Sequence, residues 1–376
     1  MSSPNERFVP PTVPPTVPPT VSPVLLGDAE HVVREAWRDF ASQAHDSRRV
    51  AALQEVSAHV STNRVFRVEF DDASSVVAKV SSYGSYFLFA EDHDRLARCS
   101  ALLRHGRFAG FLAEVLCVDK RAYTWYDGRC WCAFYSEVER AESMPRILPP
   151  ADVAELAREI ARFHHACAEI APAIPAVSNS VKGDAIHLFD LLTSPFASRN
   201  FDLAPEDIGV LARFTHELLL HLESVHYDEW NKIPILVDWN LGNFSVVRDG
   251  GVPRLFSRWD YDWFRIESRL LDFYFLSRVS SSTGDRTSFT YSPHTLTEPR
   301  FVEFVRAYHE VNPLTRRDVE FLPYAYRIFI LNYVIREGAR FFRHDLCAQF
   351  RRDAAHGYLE ASTQLDLKPL LEIVGD

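Results

Sequence analysis

No apolar run in this chain reaches membrane-spanning length, so a helical membrane protein is not expected. The N-terminus lacks a basic segment followed by an apolar one; no signal peptide is expected, and the reducing cytoplasm is the expected compartment. Cysteine is sparse. The six residues Cys99, Cys117, Cys130, Cys132, Cys167 and Cys347 are scattered, and the chain is too long to need a disulfide framework. Cys130 and Cys132 form one close pair, but no second ligand pair follows at a zinc-like spacing. On a strand these two thiols share a face and read as core. Positive charge is also short: 41 Lys and Arg against 51 Asp and Glu give a net charge of −10. A general nucleic-acid binder needs a basic face to displace counterions, so neither nucleic acid nor membrane is an expected partner. The oligomeric state is not legible.

What is present is an ordinary globular composition, 47% hydrophobic and 24% charged over 376 residues, enough for two lobes with buried cores. Residues 1–25 stand apart. PPTV occurs three times between Pro10 and Val21, which favours an extended, disordered tail or, alternatively, a docking peptide. A helix is predicted over Asp28 to Ala44, with Asp28 as cap and Val33, Trp37 and Phe40 on one face. Arg64–Phe70 and Ser75–Val80 flank a polar turn and predict a hairpin; Phe87 to Arg104 reads as a helix, and Ala122 to Tyr135 as a second hairpin. From Pro149 onward helices dominate, with stripes at Val153, Leu156, Ile160 and Phe163 and at Ile208, Leu211, Leu218 and Leu222. One more hairpin, Phe244 to Trp259, turns at Arg248 to Gly251. The expected class is α+β in two lobes, sheet-rich first and helical second.

The chemistry concentrates in Leu236-Val-Asp-Trp-Asn-Leu-Gly-Asn243. Asp238 and Asn243 flank a short loop after an apolar run, and the following hairpin returns the chain so that Asp260 lands beside it. Phosphoryl transfer needs one carboxylate to accept or orient the attacking hydroxyl. It also needs an amide and a second carboxylate to hold Mg²⁺ on the ATP phosphates. Asp238, Asn243 and Asp260 match those roles in type and order. Taken singly, each reads as a turn residue.

With these residues in hand, the chain resembles the aminoglycoside phosphotransferase and choline kinase group, small-molecule relatives of protein kinases. The resemblance rests on Leu236-Val-Asp238…Asn243, Trp259-Asp260-Tyr261-Asp262 and Leu270-Leu-Asp272, and covers roughly residues 50–345. It implies a bilobal protein-kinase-like fold: a nucleotide-binding lobe over 26–139 and a helical catalytic and substrate lobe over 140–376. It implies that Lys79 binds nucleotide phosphates with Glu91 as its partner. Ser61, Thr62 and Asn63 would serve the nucleotide loop, and the backbone around Glu137 and Val138 would read the base. Asp262 is a candidate to join Asn243 and Asp260 at the metal, or else a carboxylate that supports its ligands from behind. Asp272 is expected to cap the loop by accepting backbone N–H bonds. The group's motif histidine is Leu236 here, and the nucleotide loop carries no glycine.

The implied function is transfer of the ATP γ-phosphate to a hydroxyl of a small polar molecule, an antibiotic, amino-alcohol or sugar-like compound. The alternative is a catalytically impaired, nucleotide-binding or scaffold protein. A protein substrate is not expected, because Tyr261-Asp262 rather than a glycine follows the metal aspartate Asp260, and no Ala-Pro-Glu-like stop appears. His164 and His165 are assigned no chemistry. Trp239, Trp259, Trp263 and Phe264 read as core before they read as a cage for a cationic amine.

Overall fold

The computed structural model describes residues 23–375 except 58–62, 83, 176–178, 284–289 and 343. The proline-rich repeats lie outside the described residues. Helix α1 spans Pro23–Ala44 and so begins ahead of Asp28, which falls inside it rather than at its cap. Proline suits a first helical turn because its φ is preset and the N–H it lacks has no partner there. Val33, Trp37 and Phe40 are buried as their spacing predicts. Trp37 packs its ring 4.3 Å from Phe70 and edge-on to Phe134, so α1 covers one face of the sheet.

That sheet has five antiparallel strands in the order β1-β2-β3-β7-β6. Its members are β1 (Val50–Glu55), β2 (Arg64–Phe70), β3 (Ser75–Ser81), β6 (Thr124–Tyr126) and β7 (Trp131–Ser136). A small ladder, β4 (Cys117–Val118) with β5 (Arg121–Ala122), lies beside it. Strand β3 is central, with Lys79 opposite Val65 on β2 and Ala133 on β7. Period-2 alternation sends Val76, Ala78 and Val80 into the core under α1. Lys79 therefore falls on the other face of the strand, with Val77. Cys130 and Cys132 are both buried free thiols in that core, as expected. Helix α2 (Tyr86–Leu103) follows β3.

The second part is built on α3 (Pro150–Ile170), whose predicted stripe is fully buried. Around it lie α4 (Val181–Thr193), α5 (Ala197–Phe201), α6 (Pro205–Ser224), α7 (Phe273–Ser280), α8 (Pro299–His309) and α9 (Arg316–Ile328). Helix α9 runs into a π-helical stretch, Phe329–Arg336. Embedded among the helices, β8 (Ile233–Ile235) pairs with β11 (Arg265–Glu267). The hairpin β9 (Phe244–Asp249) and β10 (Val252–Arg258) sits between them in sequence. Gly250 and Gly251 turn that hairpin with φ of +60° and +86°, values open to glycine at little cost. This arrangement carries the Asp238 loop and Asp260 to one edge of the helical part, facing the open side of the sheet.

Candidate functional site

A cleft of about 590 Å³ separates the sheet from the β9–β10 hairpin. Val65, Val77, Ala113, Tyr135 and Val138 line its apolar part; Lys79, Asn243, Asp260 and Asp262 line its polar end. Glu137 is on the rim. Its carboxylate accepts from Arg67 Nε at 2.7 Å and from the Ser75 hydroxyl, and the Arg67 bond holds it below the ordinary carboxylate range.

The Asp238 loop is strained and heavily braced. After β8, Leu236 is buried and Val237 has φ +58°. The Asp238 N–H donates to Leu236 O at 2.7 Å, closing a three-residue turn around Val237. A β-branched residue in that turn is disfavoured, and such strain persists only where the surroundings over-determine it. Asp272 supplies the bracing. It is fully buried, and its Oδ1 accepts the Val237 N–H at 2.7 Å. Its Oδ2 accepts Trp239 Nε1–H at 2.6 Å and is 2.9 Å from His164 Nε2. The other His164 nitrogen lies 2.8 Å from the Tyr308 hydroxyl. Asp272 thus stands where a loop cap was expected. From the opposite side Arg258, itself buried, donates to Asp238 O at 2.7 Å. Among the described residues the Arg258 Nε and Nη1 have no hydrogen-bond partner, and its guanidinium lies 5.6 Å from the Trp239 ring.

The hairpin ties back to this loop through Trp259 N–H donating to Asn243 O at 3.0 Å. Asp260 follows with φ +75°, a conformation aspartate tolerates better than most residues. It is exposed to the cleft, and its Oδ1 accepts the Asp262 N–H at 3.2 Å. Asn243 and Asp260 both border the cleft and both offer oxygen, the donor a hard divalent cation takes. Among the described residues no group of three or more His, Cys, Asp and Glu is arranged for a metal ion. An ion here would therefore complete its shell with phosphate oxygens and water, as Mg²⁺ commonly does in phosphate sites.

Two expected partnerships are different in the structure. Lys79, nearly buried, forms its ion pair with Asp262. Glu91 instead pairs with Arg95 at 3.0 Å, one turn further along α2, and is close to half exposed. His93, also on α2, feels the Lys79 charge and is buried against the Phe89 carbonyl and the Tyr135 hydroxyl. Burial pushes the His93 imidazole down to about 3, the Phe89 hydrogen bond opposing and the Lys79 charge assisting. Burial also lowers the Lys79 ammonium, with the Asp260 charge opposing. Asp262 was expected at the metal; its oxygens go instead to Lys79 and, at 2.7 Å, to Asn63 Nδ2. Asn63 does line the cleft, whereas Ser61 and Thr62 lie outside the described residues.

The Asp238 side chain, whose Oδ1 accepts the Asn240 N–H at 3.1 Å, does not line the cleft wall. Its charge is felt by Tyr291, whose phenol is pushed up by burial first, Arg278 opposing and Asp238 adding. The four aromatic residues do not meet as a cage. Trp239 and Phe264 are core, Trp259 lies under Arg140 at 4.2 Å, and Trp263 packs on Phe275, Phe329 and Tyr333. Sequence reasoning missed Arg258 and the part played by His164. The signal for His164 was faint: a polar ring on the apolar stripe of α3. For Arg258 it was a charge ending a strand just before Asp260.

No family model and no curated protein matches the chain. Solved structures do. Amicoumacin kinase hAmiN, in complex with AMP-PNP, Ca²⁺ and Ami, has a TM-score of 0.61 at 13% identity, over 91% of this chain and 99% of that one. The microcompartment-associated aminopropanol kinase gives 0.55 at 19%, over 88% and 99%. The GDP complex of wild-type aminoglycoside 2'-phosphotransferase-IIIa gives 0.54 at 11%, over 90% and 99%. At these identities the likeness is one of fold. The chain has the α+β, bilobal, protein-kinase-like fold, with a small antiparallel-sheet lobe and a mainly helical lobe.

Proposed function

We propose that this protein is an ATP-dependent phosphotransferase of the aminoglycoside phosphotransferase and choline kinase type, acting on a hydroxyl of a small polar molecule. The observation that carries the reading is one cleft bordered by Lys79, Asn243 and Asp260, beside a strained loop that presents Asp238. Solved proteins of this fold named as amicoumacin kinase, aminopropanol kinase and aminoglycoside phosphotransferase support the acceptor class.

In this reading the apolar part of the cleft takes the base. The Glu137 carboxylate is engaged by Arg67 and Ser75, so contact with the base edge falls to the backbone of Glu137 and Val138. Lys79 and Asn63 face the phosphates, and Asn243 and Asp260 would hold Mg²⁺, which when bound neutralises phosphate charge. The acceptor's hydroxyl oxygen bonds to the γ-phosphorus as the bond to the bridging oxygen breaks and ADP leaves. The hydroxyl proton goes to Asp238, whose backbone is held by the Asp272 and Arg258 braces. Positioning and electrostatics carry such a reaction, so a strained and over-braced loop is a fitting investment.

The test is ADP formation and phosphorylated product, with Mg-ATP and a panel of alcohols, amino-alcohols and aminoglycosides. Acceptor-dependent transfer supports the reading. Nucleotide binding with no transfer to any acceptor favours the scaffold alternative, and no nucleotide binding at all removes both.

A further inference from the structure

We infer that Asp262 is the positioning carboxylate of Lys79, holding the phosphate-binding lysine from the segment just after Asp260 rather than from helix α2. The inference rests on the nucleotide reading above and assigns a role inside that site. Three observations carry it. First, the side chains of Lys79 and Asp262 are only 11% and 14% exposed, and they form an ion pair. A near-buried ammonium needs a fixed counter-charge, because an unpaired one is costly to keep from water. Second, the carboxylates of α2 are engaged elsewhere. Glu91 and Asp92 both pair with Arg95, Asp94 accepts the Ala122 N–H, and His93 has its ring nitrogens at the Phe89 carbonyl (2.6 Å) and the Tyr135 hydroxyl. Third, Asp262 is itself held. Asn63, just before β2, donates to the Asp262 Oδ2 at 2.7 Å, and the Asp262 N–H donates to Asp260 Oδ1 at 3.2 Å.

The consequence is mechanical. One tight turn, Asp260 to Asp262, sets both the metal-facing carboxylate and the lysine, so their spacing is fixed within three consecutive residues. A shift of α2 would leave that spacing unchanged. It also removes Asp262 from the metal's ligand set and leaves Asn243 and Asp260.

Calorimetric ATP titrations of the full chain, with Mg²⁺ and separately with EDTA, test this. Asp262→Asn should weaken ATP binding about ten-fold, by the same factor in both conditions, because the lysine contact does not require the metal. Asp262→Glu should recover part of the loss, and in a Lys79→Met background Asp262→Asn should add nothing. A loss confined to the Mg²⁺ condition would make Asp262 a metal ligand. Tighter binding would make it a latch that competes with phosphate. A comparable loss from Glu91→Gln would return the role to α2. Each of these overturns the inference. If wild type binds no ATP, the functional reading fails instead. The pair is then read from melting temperatures of nucleotide-free protein, where the double variant should melt no lower than the worse single one, and additive losses would overturn the pairing.

Discussion

Replacing Asp272 removes the acceptor for donors at Val237, Trp239 and His164 at once. Each buried donor left without a partner costs roughly 1–3 kcal/mol. Part of the sum is offset because a buried carboxylate no longer has to be desolvated. A net loss of about 4 kcal/mol is expected for Asp272→Ala, in the range reserved for broken buried networks. Asp272→Asn should lose less, about 2 kcal/mol. Its carbonyl oxygen can still accept Val237 N–H, but its NH₂ then faces Trp239 Nε1–H, donor against donor. His164 escapes the clash by changing tautomer, since the Tyr308 hydroxyl can then accept from it. Urea unfolding followed by tryptophan fluorescence measures both, and the expected order is wild type, Asn, Ala. An Asp272→Ala protein within about 1 kcal/mol of wild type, or an Asn variant equal to wild type, would refute the clamp. Released from Asp272, Val237 should leave its positive-φ turn, so phosphoryl transfer should fall in both variants by more than ATP affinity does.

Asp238→Asn should bind Mg-ATP nearly as wild type and lose turnover by about two to four orders of magnitude, the usual worth of a positioned base; full transfer by this variant would remove Asp238 from the reaction. Asp260→Ala should abolish the Mg²⁺-dependent part of the ATP-induced rise in melting temperature while the fold persists; an unchanged Mg²⁺-dependent shift would sink the metal role. Lys79→Ala should weaken nucleotide affinity with or without metal, and wild-type affinity would show the lysine to be structural only. His93, held neutral down to about 3 in the folded chain, should bind its proton more readily when unfolded. Its contribution to stability is full above about pH 6.5 and is lost as pH falls from there toward 3. The stability gap between wild type and His93→Gln should therefore shrink on acidification across that window; a pH-independent gap would contradict the buried, neutral ring.

Short-range periodicity carried much of this protein into view from its sequence. The β-branched and aromatic runs Arg64–Phe70 and Ser75–Val80 around a polar turn predict the β2–β3 hairpin, and the 3.6-residue stripe predicts the buried face of α3. The Gly250–Gly251 turn sets Asp260 one hairpin beyond Asn243. Those patterns are local because they follow from pleat, helical pitch and turn chemistry. Strand β1 escaped notice because an edge strand with only partial burial shows little alternation. Helix α4 was missed as well, its apolar residues being broken by Gly183 and a buried Asp184. What tertiary structure alone decided is who meets whom. Lys79 was legible as a lysine among valines, but its partner lies far along the chain. Asn63 reaches the same Asp262 across 199 positions. A carboxylate on α2 and one after Asp260 were equally plausible by type; the choice between them turns on how α2 is rotated against β3. In the folded chain Glu91 pairs with Arg95 one turn along its own helix, and the packing of α2 on the sheet brings His93 within reach of the lysine's charge. Such a rotation is set by the packing of whole elements, which no local pattern of residues encodes.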